Sequence, residues 1–178
     1  MSRYEFDLVL FGLELEAAER ELAGFEERVD DITLAEHGGV GRAAVEREAP
    51  SLGAAIRTAV ADVEAIPGVR VVRVEPDDYV SRREIASRIG TSRSYVSQLA
   101  SGARGPGGFP PPAFESGTVA LWRWSDLAEW LGAAGLRPPD GDPRHSAVIG
   151  AANALLEARR AVARLSEDER QSLTAMVS

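Results

Sequence analysis

The sequence predicts an α+β fold in two parts, and three features of the 178-residue chain carry that prediction. Over residues 4–74 strand-like and helix-like periods alternate in the order β-α-β-β-α-β, the ferredoxin-like arrangement. After Glu75-Pro76-Asp77-Asp78 the period becomes helical, and residues 81–101 read as two short helices joined by a tight turn. A small β-hairpin and further helices follow. The expected units are an acidic domain over residues 1–76, a second domain over 79–134, and a C-terminal helical region over 144–178 available for oligomerisation.

The elements of the first half follow from local chemistry. Residues 4–11 alternate, with Tyr4, Phe6, Leu8 and Leu10 on one face, as in a half-buried strand. Residues 15–29 are helical, with Ala18, Leu22 and Phe25 on one stripe and many glutamates opposite. Residues 31–36 and 41–48 are short strands around His37-Gly38-Gly39, a hairpin signal. Ser51 caps a second helix in which Leu52, Ala55, Ile56, Ala59, Val60, Val63 and Ile66 recur at three and four. Pro67-Gly68 ends it, and residues 69–74 form the last strand.

In the second half, Ile85, Ala86 and Ile89 have helical spacing, and Gly90 supplies a left-handed stop. Ser92 caps the next helix, whose inward face is Val96 and Leu99, while small Ala86 lets the two helices approach closely. Together these describe a helix-turn-helix. Residues 102–112 hold too much Gly and Pro for a helix. Residues 113–114 and 119–122 flank the turn Glu115-Ser116-Gly117-Thr118 as a hairpin, and Ser125 caps a short helix facing inward through Leu127, Trp130 and Leu131. Residues 137–143 read as a linker. Residues 145–165 form an Ala-rich helix, and Ser166-Glu167-Asp168-Glu169 is a capping box for a last helix reaching Met176.

Charge is unevenly distributed. The net charge is −8, and all twenty basic residues are Arg, a usage that reads as coding bias in a GC-rich genome. Residues 1–78 carry 18 acids against eight Arg, whereas residues 79–125 carry six Arg against two acids. The positive charge thus sits on the helix-turn-helix, as attraction to phosphate requires. With no cysteine, no disulfide, thiolate metal site or thiol nucleophile is available. No apolar run approaches the roughly 20 residues of a membrane span, and the start of the chain lacks the pattern of a secretory signal. The expected location is the cytoplasm, with no membrane association.

Two helices, a hairpin, and then Leu121-Trp122-Arg123-Trp124-Ser125 opening a helix that ends Trp130-Leu131 resemble the winged helix-turn-helix of MerR-like and phage-excisionase-like DNA-binding proteins. In those proteins an apolar-Pro segment, here Phe109-Pro110, leads into the wing. The resemblance covers roughly residues 79–133 and leaves the acidic domain and the C-terminal helices outside it. It implies that residues 92–100 are the recognition helix, capped by Ser92, with Arg93, Ser94, Ser97 and Gln98 exposed and Tyr95 at its edge. Arg93 would bridge guanine O6 and N7 and Gln98 adenine N6 and N7. The hydroxyls and Tyr95 suit phosphates. Arg82, Arg83 and Arg88 would reach the backbone or simply solvate a helix face. Arg104 and Arg123 would meet flanking phosphates or the minor groove. Trp122, Trp124 and Trp130 are expected as core anchors, not stacking platforms.

Catalytic patterns are missing. His37 and His145 lie in or beside turns without paired ligand spacing, the Gly-rich segment lacks the Lys-Ser/Thr ending of a phosphate loop, and there is no nucleophile elbow. The expectation is a non-enzyme without cofactor or metal, acting on double-stranded DNA as a homodimer and bacterial transcriptional regulator. Val148, Ala152, Leu155, Leu156, Ala161, Val162 and Leu165 form a stripe that either self-associates or packs on its own chain. The alternative is a protein-interaction module, antitoxin-like, whose acidic domain binds a protein partner or senses a small ligand.

Overall fold

A computed structural model describes residues 1–16, 18, 30–136 and 143–175. The chain is a mixed α+β protein with two antiparallel sheets. It divides into two compact units, Met1–Glu75 with Ala151–Ser178, and Pro76–Gly150. Among the described residues no helix is long and apolar enough to cross a membrane.

The first unit is built on strands β1 (Ser2–Phe11), β2 (Ile32–His37), β3 (Val40–Ala49) and β4 (Arg70–Glu75), in the order β2-β3-β1-β4 with every neighbour antiparallel. Alternation in β1 buries Phe6, Leu8 and Leu10, and in β3 it buries Ala43, Val45 and Ala49 on the same face. Gly38 and Gly39 both take positive φ (59° and 77°), which a two-residue hairpin turn requires. Helix α1 (Leu52–Val63) starts where the Ser51 hydroxyl accepts from the Ala54 N–H at 3.2 Å, and it buries Leu52, Ala55, Ile56, Ala59 and Val63. It stops three residues short of the predicted Ile66, which stays buried in the following turn. Pro67 disfavours helical backbone at the residue before it, which accounts for the early stop. Leu15, Glu16 and Ala18 are helical. The rest of the helix predicted to residue 29, with Leu22 and Phe25, lies outside the described residues, as do residues 137–142 of the linker and Met176.

Helix α5 (Pro143–Val162) spans the division between the units, and α6 (Glu167–Thr174) follows it. Within the first unit, the Asn153 side chain continues the sheet's hydrogen bonding. Its Oδ1 accepts from the Val74 N–H at 2.7 Å and its Nδ2 donates to the Val74 carbonyl at 3.0 Å. Arg159 donates two hydrogen bonds to the Glu64 carboxylate, at 2.6 and 2.8 Å. Along the predicted apolar stripe of α5, Leu156 is buried, while Leu155 is 72% exposed and Ala161 is exposed. The Glu169 carboxylate accepts from the Ser166 N–H at 3.0 Å and hydroxyl at 2.8 Å, holding the start of α6.

The second unit contains β5 (Tyr79–Ser81), α2 (Arg82–Arg88), α3 (Arg93–Ala100), β6 (Phe114–Ser116), β7 (Val119–Arg123) and α4 (Trp124–Ala133). Its sheet has the order β5-β7-β6. Strand β5 departs from the sequence reading, which passed from the Asp77-Asp78 turn directly into a helix; its three residues pair with Arg123, Trp122 and Leu121. Val80, Ile85, Ala86, Val96, Trp122, Trp124, Leu127 and Leu131 form one buried core, with Trp130 partly buried against it. The Gly/Pro-rich segment is pinned to this core. Trp122 Nε1 donates to the Pro110 carbonyl at 3.1 Å and Trp130 Nε1 to the Gly107 carbonyl at 2.9 Å, while Phe109 meets both rings edge-on.

Helix α4 also differs from the sequence reading. Ser125 is not its cap, because the helix already begins at Trp124. Asp78 caps it instead: its carboxylate accepts from the Ser125 N–H at 2.9 Å and hydroxyl at 2.8 Å, and its carbonyl accepts from the Trp124 N–H at 2.7 Å. A buried carboxylate from far along the chain replaces the local hydroxyl, which spends itself on that carboxylate.

Candidate nucleic-acid interface

The turn between α2 and α3 is set by local chemistry. The Ser81 hydroxyl accepts from the Glu84 N–H at 3.3 Å, and the Glu84 carboxylate accepts from the Ser81 N–H at 2.7 Å. This capping box fixes Arg82 and Arg83 as the first two residues of α2. Hydrogen bonding of the Glu84 carboxylate to the Ser81 hydroxyl and to the Ser81 N–H holds the Glu84 carboxyl below its usual range, with burial opposing the effect and the Arg88 and Arg83 charges adding to it. Gly90 takes φ 64°, and the Thr91 N–H closes the turn on the Ala86 carbonyl at 2.8 Å. The Ser92 hydroxyl accepts from the Tyr95 N–H at 3.1 Å and starts α3. Burial of Val96 and Leu99 then leaves Arg93, Ser94 and Ser97 exposed, with Gln98 and Tyr95 half-buried.

These segments meet the hairpin at an open groove of about 520 Å³, lined by Ser81, Arg82, Arg83, Arg93, Ser94, Ser97, Thr118, Val119 and Ala120. Three guanidinium-bearing residues line it and no carboxylate does. Such a surface favours an extended anion, since each arginine offers several fixed donors and remains charged. Five residues anticipated from the sequence are therefore brought together: Arg82, Arg83, Arg93, Ser94 and Ser97. Ser81 and the hairpin tip, Thr118–Ala120, were not anticipated. The tip follows Gly117, whose φ of 57° makes the turn, and Ser116 pairs with Val119 across it.

The remaining anticipated residues lie elsewhere. Ser92, the cap of α3, and Tyr95 and Gln98 on it do not line the groove. Arg88 stacks over Trp124 with its guanidinium 4.7 Å from the ring centre. Arg104 lies 6.0 Å from the Tyr95 ring. Arg123 sits 5.0 Å from the Tyr79 ring, donates to the Tyr79 hydroxyl at 3.2 Å and faces the Asp78 carboxylate at 3.8 Å. Arg82, inside the groove, is also held, 5.4 Å from the centre of the Trp122 ring.

No family model, curated protein or solved structure matches the chain.

Proposed function

We propose that this protein binds double-stranded DNA sequence-specifically, as a bacterial transcriptional regulator that lays α3 in the major groove and sets the β6–β7 hairpin against the flanking backbone. The observation that carries this reading is the groove in which Arg82, Arg83 and Arg93 meet the hairpin tip with no carboxylate among its lining residues. The order α2, turn, α3, hairpin, α4 supports a winged helix-turn-helix, and the antiparallel order β2-β3-β1-β4 supports a ferredoxin-like sheet in the first unit. One such module buries limited surface, so the working form is a homodimer on two half-sites.

Fluorescence polarisation against labelled genomic fragments at several salt concentrations tests the reading. A small set of fragments should bind at least a thousandfold more tightly than bulk DNA. Log affinity should fall linearly with log salt, by about 0.9 per phosphate contacted. Equal binding to all fragments, or none, rejects it.

A further inference from the structure

The geometry of α3 divides labour among its polar side chains in a way its sequence does not, and the inference rests on the DNA-binding reading above. An α-helix with its side chains is about 10–12 Å across and the major groove about 12 Å wide. A helix seated there fills it. Side chains opposite the helix's buried stripe then face base edges, and those near a right angle to it face the phosphate walls.

Val96 and Leu99 fix the buried direction of α3. At about 100° per residue, Ser94 points within about 10° of the opposite direction, and Ser97 and Gln98 lie about 50° to either side of it. Arg93 lies about 90° from it, on the Ser97 side. On that side the groove gathers Arg82, Arg83 and the hairpin tip; Ser94 and Ser97 line it too, where it borders the reading face, and Gln98 does not. Ser97 donates its hydroxyl proton to the Arg93 carbonyl at 3.0 Å, so toward a ligand it offers lone pairs.

We infer that the groove is a seat for one stretch of DNA backbone, its phosphates held by Arg82, Arg83 and Arg93, and that base identity is read by Gln98 with Ser94 and Ser97. Arg93 therefore positions and does not specify, in place of the guanine-reading role its residue type suggested. Three mutually repelling guanidinium groups gain most from an anion between them. A phosphodiester backbone supplies that anion wherever the helix docks, independent of sequence. Gln98 is the side chain of the reading face long enough to bridge adenine N6 and N7. Ser97, as an acceptor, favours the amino group of adenine or cytosine.

Selection of bound duplexes from a randomised library, followed by affinity measurements across salt, separates the two roles. Wild type, Arg93→Ala, Arg83→Ala and Gln98→Ala are compared, with unchanged tryptophan emission confirming that each is folded. Arg93→Ala and Arg83→Ala should select the same sequence as wild type. Each should lose the same factor, about tenfold, on preferred and non-preferred duplexes, with a salt slope shallower by about 0.9. Gln98→Ala should leave the slope unchanged and lose about 5- to 150-fold of discrimination at one base pair. Loss of preference at a G·C pair in Arg93→Ala, with the slope intact, would overturn the inference while leaving DNA binding standing. A wild-type protein that selects no duplex would sink both.

Discussion

Replacing Asp78 by Ala is the sharpest test of how the second unit holds together. Asp78 is 1% exposed, and its carboxylate accepts both the N–H and the hydroxyl of Ser125 at the start of α4. Gly150 lies against it: a Cβ built there would sit 3.0 Å from the Asp78 Cβ and Oδ2. Loss of a helix cap costs about 1 kcal/mol. Leaving the half-buried N–H and hydroxyl of Ser125 without their acceptor costs about 1–3 kcal/mol more. The bond from Trp124 N–H to the Asp78 carbonyl survives, so the helix still starts in place. The sum is about 2–4 kcal/mol. All three tryptophans lie in this unit, so urea denaturation followed by their emission reports on it directly. Asp78→Asn keeps the shape and should cost about 1 kcal/mol, the difference between a charged and a neutral acceptor. Asp77, whose carboxylate reaches only the Tyr79 N–H at 3.4 Å, should tolerate Ala within about 0.5 kcal/mol. An Asp78→Ala protein as stable as the Asp77→Ala one would refute the reasoning.

Other expectations concern the first unit, and backbone hydrogen exchange within residues 1–75 reads each of them. Arg47 is buried and holds Asp31 through two bonds (2.5 and 2.8 Å) and Asp62 at 2.9 Å, so Arg47→Ala should cost about 3–5 kcal/mol by removing the buried guanidinium that these carboxylates share. Arg73→Ala, which breaks a half-exposed pair with Glu75, should cost less than about 1 kcal/mol. Gly12 takes φ 76° and a Cβ there would fall 2.3 Å from the Gly68 carbonyl oxygen, so Gly12→Ala combines about 1–2 kcal/mol of left-handed strain with a backbone clash. Burial raises the Glu64 carboxyl, but the Arg159 and Val71 hydrogen bonds outweigh it and hold the group below its ordinary value. Its folded value thus lies below the unfolded one. Its contribution is present above about pH 4.3 and lost as pH falls through the folded value. Glu64→Gln should flatten that acid limb; an unchanged limb would contradict the assignment.

Features that a few neighbouring residues decide were readable from the sequence. Ser51 and Ser92 cap helices, and Gly38, Gly39 and Gly90 take positive φ, because each requirement is met within about four residues. What escaped was decided across the chain. Tyr79–Ser81 is too short to show a period and becomes a strand by pairing with residues 121–123. Ser125 before an apolar run looks like a cap until Asp78 arrives from 47 positions away. Arg88, Arg104 and Arg123 are indistinguishable from Arg82 and Arg83 by type. Only packing against Trp124, Tyr95 and Tyr79 shows that each has an aromatic neighbour outside the groove. The same limit hid the hairpin tip, whose small residues join α3 only once β7 is in register. In Ala-rich α5, burial picks Leu156 over its neighbour Leu155 through tertiary packing that its own periodicity does not encode.

The acidic total and the basic groove together constrain how DNA recognition would work. A net charge of −8 opposes approach to DNA, but at physiological salt the repulsion is screened beyond about 8 Å, so a groove touching phosphate still gains its full contact. General repulsion weakens specific and non-specific binding alike and leaves their ratio unchanged. On the proposed reading that ratio would come from Ser94, Ser97 and Gln98, of which Gln98 alone would make a bidentate contact. At about 1–3 kcal/mol for a bidentate pair and less for a lone hydroxyl, one module reaches only the lower part of the roughly 4–10 kcal/mol that separates specific from non-specific binding. Two copies on adjacent half-sites double the discrimination, whereas more positive charge would add affinity without it. If the proposed DNA-binding reading holds, so sparse a reading face would need two copies to reach that specificity, independently of any apolar stripe. Half-site duplexes should accordingly lose most of the sequence preference that full sites show.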